Sequence, residues 1–149
     1  MQAPTSGPER AGATPSPGAV IGGRYRLTRV AGRGGMGTVW EATNTWTERR
    51  VAVKVMDGDG DGARGTASPD RVERFLREAK ATAKVRHPHV VDVLDMGADD
   101  DGAPFIVQEL LHGEDLAAHV GRAGGRLPFE TAVALMLPVI DAVGFAHAK

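Results

Sequence analysis

Between residues 32 and 39 the chain reads Gly-Arg-Gly-Gly-Met-Gly-Thr-Val, and at 51–54 it reads Val-Ala-Val-Lys. Gly32, Gly34, Gly37 and Val39 fit the spacing G-x-G-x-x-G-x-V. Glycines have no Cβ, so successive backbone N–H groups approach an anionic oxygen and the chain takes positive φ where a turn demands it. A lysine ending the next apolar run adds a compact positive charge for phosphate. Together the loop and Lys54 point to ATP.

The elements that must position these groups are strands. Residues 25–30 and 38–42 favour β structure, which makes the glycine segment a hairpin tip. Dinucleotide-binding folds use the same G-x-G-x-x-G spacing, but they open a helix after it and place a ribose-binding acid about 20 residues on. Here Thr-Val-Trp-Glu-Ala-Thr follows, which is strand-like, and no convincing acid stands near 51–55.

With 149 residues the chain suits one domain, large enough to bury roughly 70% of its unfolded surface. Net charge is −1, and no lysine/arginine block marks a nucleic-acid footprint. The absence of cysteine excludes disulfides, zinc–thiolate sites and thiol catalysis, and fits a cytoplasmic location. Residues 1–18 lack the apolar core of a signal peptide. Residues 132–148 are apolar enough to resemble a membrane span, but Asp141 and Pro138 interrupt them and the length is marginal for a core of about 30 Å. A buried amphipathic helix with no membrane segment is the expectation.

Residues 1–20 contain four of the nine prolines and should be a disordered Pro/Ala/Gly-rich tail. Strands are expected at 24–30, 38–44, 49–56, 90–96 and 104–110, the last two joined by the acidic turn 97–102. They form a five-stranded antiparallel sheet with one packed helix, an α+β arrangement over 21–111, followed by two helices within 112–149. A flexible insert spans 57–68. Its Asp-Gly-Asp-Gly-Asp-Gly start imitates a calcium loop, but Ser68 stands where a bidentate glutamate is needed and Arg64 lies at position eight.

Ser68-Pro69 should start a helix to about residue 84, with serine as N-cap and proline at N1. Val72, Phe75, Leu76, Ala79 and Ala83 form its apolar face, flanked by Arg71, Arg74 and Glu78. Glu78 is spaced to pair with Arg74 one turn back. His87-Pro-His89 offers a His-x-His pair, but the intervening proline and the lack of a third nearby ligand disfavour a metal. A short helix is expected at 115–122 and a long one at 129–149. Val133, Met136, Leu137, Ile140, Val143 and Ala146 should form the core-facing stripe of the long helix, with no element in the sequence left to cover it.

Taken in order, the glycine loop, Val-Ala-Val-Lys, Phe75-Leu-Arg-Glu-Ala, His87-Pro-His-Val-Val and Phe105-Ile-Val-Gln-Glu-Leu-Leu resemble the protein kinase family. The closest group is the eukaryotic-like (Hanks-type) serine/threonine kinases of bacteria. The resemblance covers about residues 20–149. It implies an N-lobe, a hinge and the start of a second lobe, with ATP as cosubstrate and Mg²⁺ as the metal. It makes Lys54 the phosphate-orienting lysine and Glu78 its ion-pair partner. Ala31, Val39 and Ala52 become the adenine roof, and Gly32, Arg33, Gly34, Gly35, Met36, Gly37 and Thr38 the phosphate loop. Gln108 falls at the gatekeeper position, an unusual polar residue there, with Glu109 and Leu111 offering backbone groups to the adenine edge. His89 replaces the usual asparagine.

In the family the long helix leads into His-Arg-Asp, which holds the catalytic base, and later Asp-Phe-Gly holds the metal. Neither occurs in these 149 residues, and His147 does not substitute for the base. The resemblance therefore implies a partial kinase domain, inactive by itself, acting on protein substrates or completed by a partner kinase or C-lobe fragment. The alternative is a non-catalytic N-lobe module that binds a nucleotide or a partner.

Overall fold

A computed structural model describes residues 15–58 and 67–148. Six strands and three helices follow in the order β1 (Val20–Ile21), β2 (Tyr25–Gly34), β3 (Gly37–Asn44), β4 (Arg50–Met56), α1 (Pro69–Ala83), β5 (Val93–Ala98), β6 (Pro104–Glu109), α2 (Leu116–Arg122) and α3 (Phe129–His147). The strands make one antiparallel sheet in the order β1-β2-β3-β4-β6-β5. All five expected strands are present, and the two-residue β1 adds a sixth at the β2 edge.

Strand alternation gives the sheet two apolar faces. Val51, Val53 and Val55 of β4 join Leu27, Trp40, Ala42, Phe105 and Val107 in one buried cluster. On the other face Met56 and Ile106 meet Phe75 and Ala79 of α1. The sheet curls into a half-barrel around the first cluster. Its curl brings Arg24 and Tyr25 at the start of β2 to Asp95 on β5, both donating to Oδ2 at 2.6 Å. Gly22 and Gly97 leave room for the Phe105 ring, since a Cβ at either would lie 2.5 or 2.9 Å from it.

Packing starts earlier in the chain than expected. Of the anticipated tail, residues 1–14 lie outside the described residues. Pro15 is buried, however, and the Gly18 N–H donates to Leu27 O at 2.8 Å. Most of the 57–68 insert, including the centre of the calcium-like stretch, also lies outside the described residues.

Helix α1 begins at Pro69. Ser68 holds the extended N-cap conformation but makes no side-chain cap bond; its carbonyl accepts from the N–H groups of Arg71 and Val72. Phe75 and Ala79 are buried, and Val72 and Leu76 are half-buried. Ala83 is exposed.

The expectation for α3 needs correction. Only Ala142 is buried, while Val133, Met136, Leu137, Ile140 and Val143 are exposed. The helix is apolar on nearly every side, so no single stripe selects its orientation. Segment 81–90 lies alongside the helix, lining a cavity with Val139, Ala142, Val143 and Ala146. By length and composition α3 would also suit a membrane span. Its polar and ring contacts to 81–90 are made by His87, whose Nε2 lies 3.1 Å from Asp141 Oδ2 and whose ring lies 5.2 Å from that of Phe145.

Candidate nucleotide site

Strands β2 and β3 pair up to Gly34 opposite Gly37, leaving Gly35 and Met36 as a two-residue turn. Cross-strand register sets Gly32 beside Val39, Val39 beside Lys54 and Lys54 beside Ile106. A second row runs Arg29, Glu41, Ala52, Gln108. Period-two alternation puts Val39, Ala52 and Lys54 on the sheet face that α1 covers. Ala31 falls at the register shift between Val30 and Gly32 and is exposed, as is Arg33.

The loop glycines differ in why they are glycine. A Cβ at Gly37 would stand 2.2 Å from the Val55 carbonyl oxygen, so close packing of β3 on β4 requires its absence. At Gly32, Gly34 and Gly35 a Cβ would meet nothing within 4 Å. Packing within the chain does not explain those three. The open space beside their backbone is what an approaching phosphate needs.

The Thr38 side chain is not part of that open face. It is 1% exposed and its hydroxyl donates to the Asp57 carboxylate, with Oδ2 at 3.1 Å. Lys54 is half-buried, with Nζ 5.5 Å from the Phe75 ring centroid. The expected Lys54–Glu78 ion pair is not formed in this structure. Glu78 Oε1 lies 3.6 Å from Arg74 Nε on the exposed flank of α1. The reason is rotational: Phe75 and Ala79 take the buried side of the helix, and Glu78, beside Ala79, is turned toward solvent.

Gln108 is half-buried between Ala52 and Val93. The Glu109 N–H donates to Asp92 O at 3.1 Å, and its carboxylate accepts from the Asp92 N–H at 2.9 Å. An adenine edge would therefore meet other backbone groups of 109–111. Leu111 is 64% exposed. His87 and His89 are tied within the turn, His87 Nδ1 accepting from the His89 N–H at 3.3 Å. Among the described residues no group of three or more His, Asp or Glu side chains is placed to hold a metal ion. The described residues therefore do not fit a magnesium site.

Sequence reasoning missed two features beside the site. Glu41 is 8% exposed and accepts from Arg29 Nε at 3.0 Å, from Arg29 Nη2, and from Arg50 Nη2 at 3.1 Å. Burial by itself would raise its pKa, but the hydrogen bonds and charges of the two arginines outweigh it and hold the carboxyl below its ordinary value. The signal was a carboxylate two positions from Val39, on the same face of a strand and flanked by Trp40 and Ala42. Arg71 Nη2 donates to Gly35 O at 3.3 Å, a contact between residues too distant in sequence for spacing to reveal.

A family model described as "Protein kinase domain" matches residues 25–149. The chain is 37% identical over 139 residues to the serine/threonine-protein kinase PknA of Mycobacterium tuberculosis, covering 91% of this chain and 31% of PknA. To PknE of the same organism it is 41% identical over 128 residues, covering 85% of this chain and 21% of PknE. The chain thus spans less than a third of the length of these relatives. The crystal structure of the M. tuberculosis PknI kinase domain matches with a TM-score of 0.70 at 26% identity, over 91% of this chain and 53% of that one. A half-barrel sheet, an α1 packed on its lysine face and a glycine hairpin above that lysine agree with these matches, and the chain belongs to the protein kinase family, among the bacterial serine/threonine kinases.

Proposed function

We propose that residues 15–148 form the nucleotide-holding half of an ATP-dependent serine/threonine protein kinase. The observation that carries this reading is the open backbone of Gly32, Gly34 and Gly35 beside the strand row that bears Lys54. The hairpin amides would take the phosphates and Lys54 would add charge. Ala31, Val39 and Ala52 would roof the adenine, with Gln108, Glu109 and Leu111 along its edge. ATP supplies the phosphoryl group; this half binds and orients it.

Phosphoryl transfer needs a base and metal ligands, and these 149 residues contain neither His-Arg-Asp nor Asp-Phe-Gly. The 149-residue polypeptide alone should therefore show no turnover. Exposed Leu137 and Ile140, at 59% and 61%, favour a protein cover over α3, and the unmatched remainder of the PknI domain is the model for that cover. A non-catalytic module that binds nucleotide or a partner would retain the same exposed helix and the same glycine loop.

The test is nucleotide binding by calorimetry and phosphate transfer from radiolabelled ATP to a general protein substrate. Binding that falls at least tenfold in Lys54→Ala, with no transfer by either protein, is expected. Turnover by the wild-type polypeptide that Lys54→Ala abolishes would refute the assignment of a catalytically incomplete half.

A further inference from the structure

Both turn residues of the glycine hairpin are held, Gly35 by α1 and Met36 by the core cluster between α1 and the sheet. Arg71, in the first turns of α1, donates from Nη2 to the Gly35 carbonyl oxygen at 3.3 Å. Met36 is half-buried and packs against the cluster of Met56, Phe75, Ala79 and Ile106. A polar contact to α1 and an apolar contact to the core beneath α1 thus hold the same two-residue turn.

Peptide geometry gives this contact a consequence. None of the described peptide bonds is cis, and in a trans peptide the C=O and N–H point in opposite directions. With the Gly35 carbonyl aimed at α1, the Met36 N–H is aimed away from it. The Lys54 ammonium lies on the α1 side, against Phe75. The turn amide and the ammonium therefore face different ways, so in this posture the Met36 N–H is not aimed toward the Lys54 side of the hairpin.

We propose that Arg71 and Met36 form a latch that holds the glycine hairpin in a resting posture, and that nucleotide binding requires Gly35 to leave Arg71. This rests on the nucleotide reading above. A ligand that binds only the released hairpin has its apparent affinity reduced by the fraction still latched, and removing the latch restores it. The sign is diagnostic. By charge alone, loss of Arg71 from the neighbourhood of a triphosphate should weaken binding. Loss of a latch should strengthen it.

The experiment is ATP binding by calorimetry to the wild-type chain, Arg71→Ala, Met36→Ala and Lys54→Ala, with ¹⁵N relaxation of Gly35 and Met36 in the nucleotide-free proteins. Arg71→Ala should bind ATP about three- to tenfold more tightly, Met36→Ala should shift the same way, and both should make the turn amides more mobile. Affinity that is unchanged or weaker in Arg71→Ala, while binding still depends on Lys54, overturns the latch and leaves the nucleotide reading intact. Turn amides as mobile in the wild type as in Arg71→Ala also overturn it. Absence of binding in the wild type and both latch variants overturns the latch and the nucleotide reading together.

Discussion

Tyr25 Oη donates to Asp95 Oδ2 at 2.6 Å, joining residues 70 positions apart on strands that are not neighbours in the sheet. Arg24 Nη2 reaches the same oxygen, and the Tyr25 ring meets Phe105 edge-on at 6.0 Å. This closure bends the sheet that carries the glycine hairpin and Lys54. Tyr25→Phe should lower unfolding free energy by about 1–2 kcal/mol, the cost of a lost hydrogen bond to a charged group, read from urea denaturation.

The same contact sets an alkaline limit. Burial, then the hydrogen bond and charge of Asp95, push the Tyr25 phenol up to about 12 from 10.0. The folded state thus holds its proton more tightly than the unfolded chain does. The stability this contributes is fully present below pH 10 and is lost as pH rises through about 12. Denaturation midpoints between pH 9 and 12 should fall more steeply in the wild type than in Tyr25→Phe.

Glu41 sets the opposite limit. Its carboxyl is held below the ordinary value of 4.5 because the bonds from Arg29 and Arg50 outweigh the opposing effect of burial. Stability from this group is present above pH 4.5 and is lost as pH falls through the lower folded value. Glu41→Gln should be less stable at pH 7 and should flatten the acid side of the stability profile, measured by urea titrations from pH 3 to 7.

The glycines separate folding from binding. Gly37→Ala drives a Cβ toward the Val55 carbonyl and should cost about 1–3 kcal/mol, as overpacking does. Gly34→Ala meets open space and should change stability by less than about 0.5 kcal/mol. The same Gly34→Ala should weaken ATP binding about tenfold, or about 1.4 kcal/mol. Thermal melts and calorimetry on the two variants make the comparison.

Phe75 anchors α1 to the sheet and lies under Lys54. It is fully buried, so Phe75→Ala should destabilise by about 3–5 kcal/mol. Phe75→Leu keeps most of the volume and should cost less than about 1.5 kcal/mol while removing the ring from beneath the ammonium. A shift of the Lys54 ¹⁵Nζ resonance in Phe75→Leu checks the contact.

Most of the fold was legible because its signals are local. Strand alternation at 38–44 and 50–56, the glycines at the turn, and proline at the start of α1 each reflect constraints acting within a few residues. The glycine loop and the lysine strand were readable for the same reason, and register then placed Lys54 beside Val39. Residues 18 and 19 were read as tail because their tie is to Leu27, which composition does not reveal.

The long-range pairings were not legible. Spacing offered Glu78 to Arg74 and the family resemblance offered it to Lys54, and only the rotation of α1, set by burial of Phe75 and Ala79, decided for Arg74. The apolar residues of α3 fitted a core stripe, but which of them meet protein depended on the reach of segment 81–90. Arg71 met Gly35 only after the hairpin folded over the helix.

The sequence by itself determined the family, the hairpin with its glycine turn, and the strand that carries Lys54, since these follow from residue type and short spacing. Tertiary structure decided how they stand toward one another: Gly35 held by Arg71, Lys54 over Phe75, Glu78 turned to Arg74. Helix rotation and sheet curl are fixed by the sum of buried contacts over the whole core, a quantity that no local stretch of sequence contains.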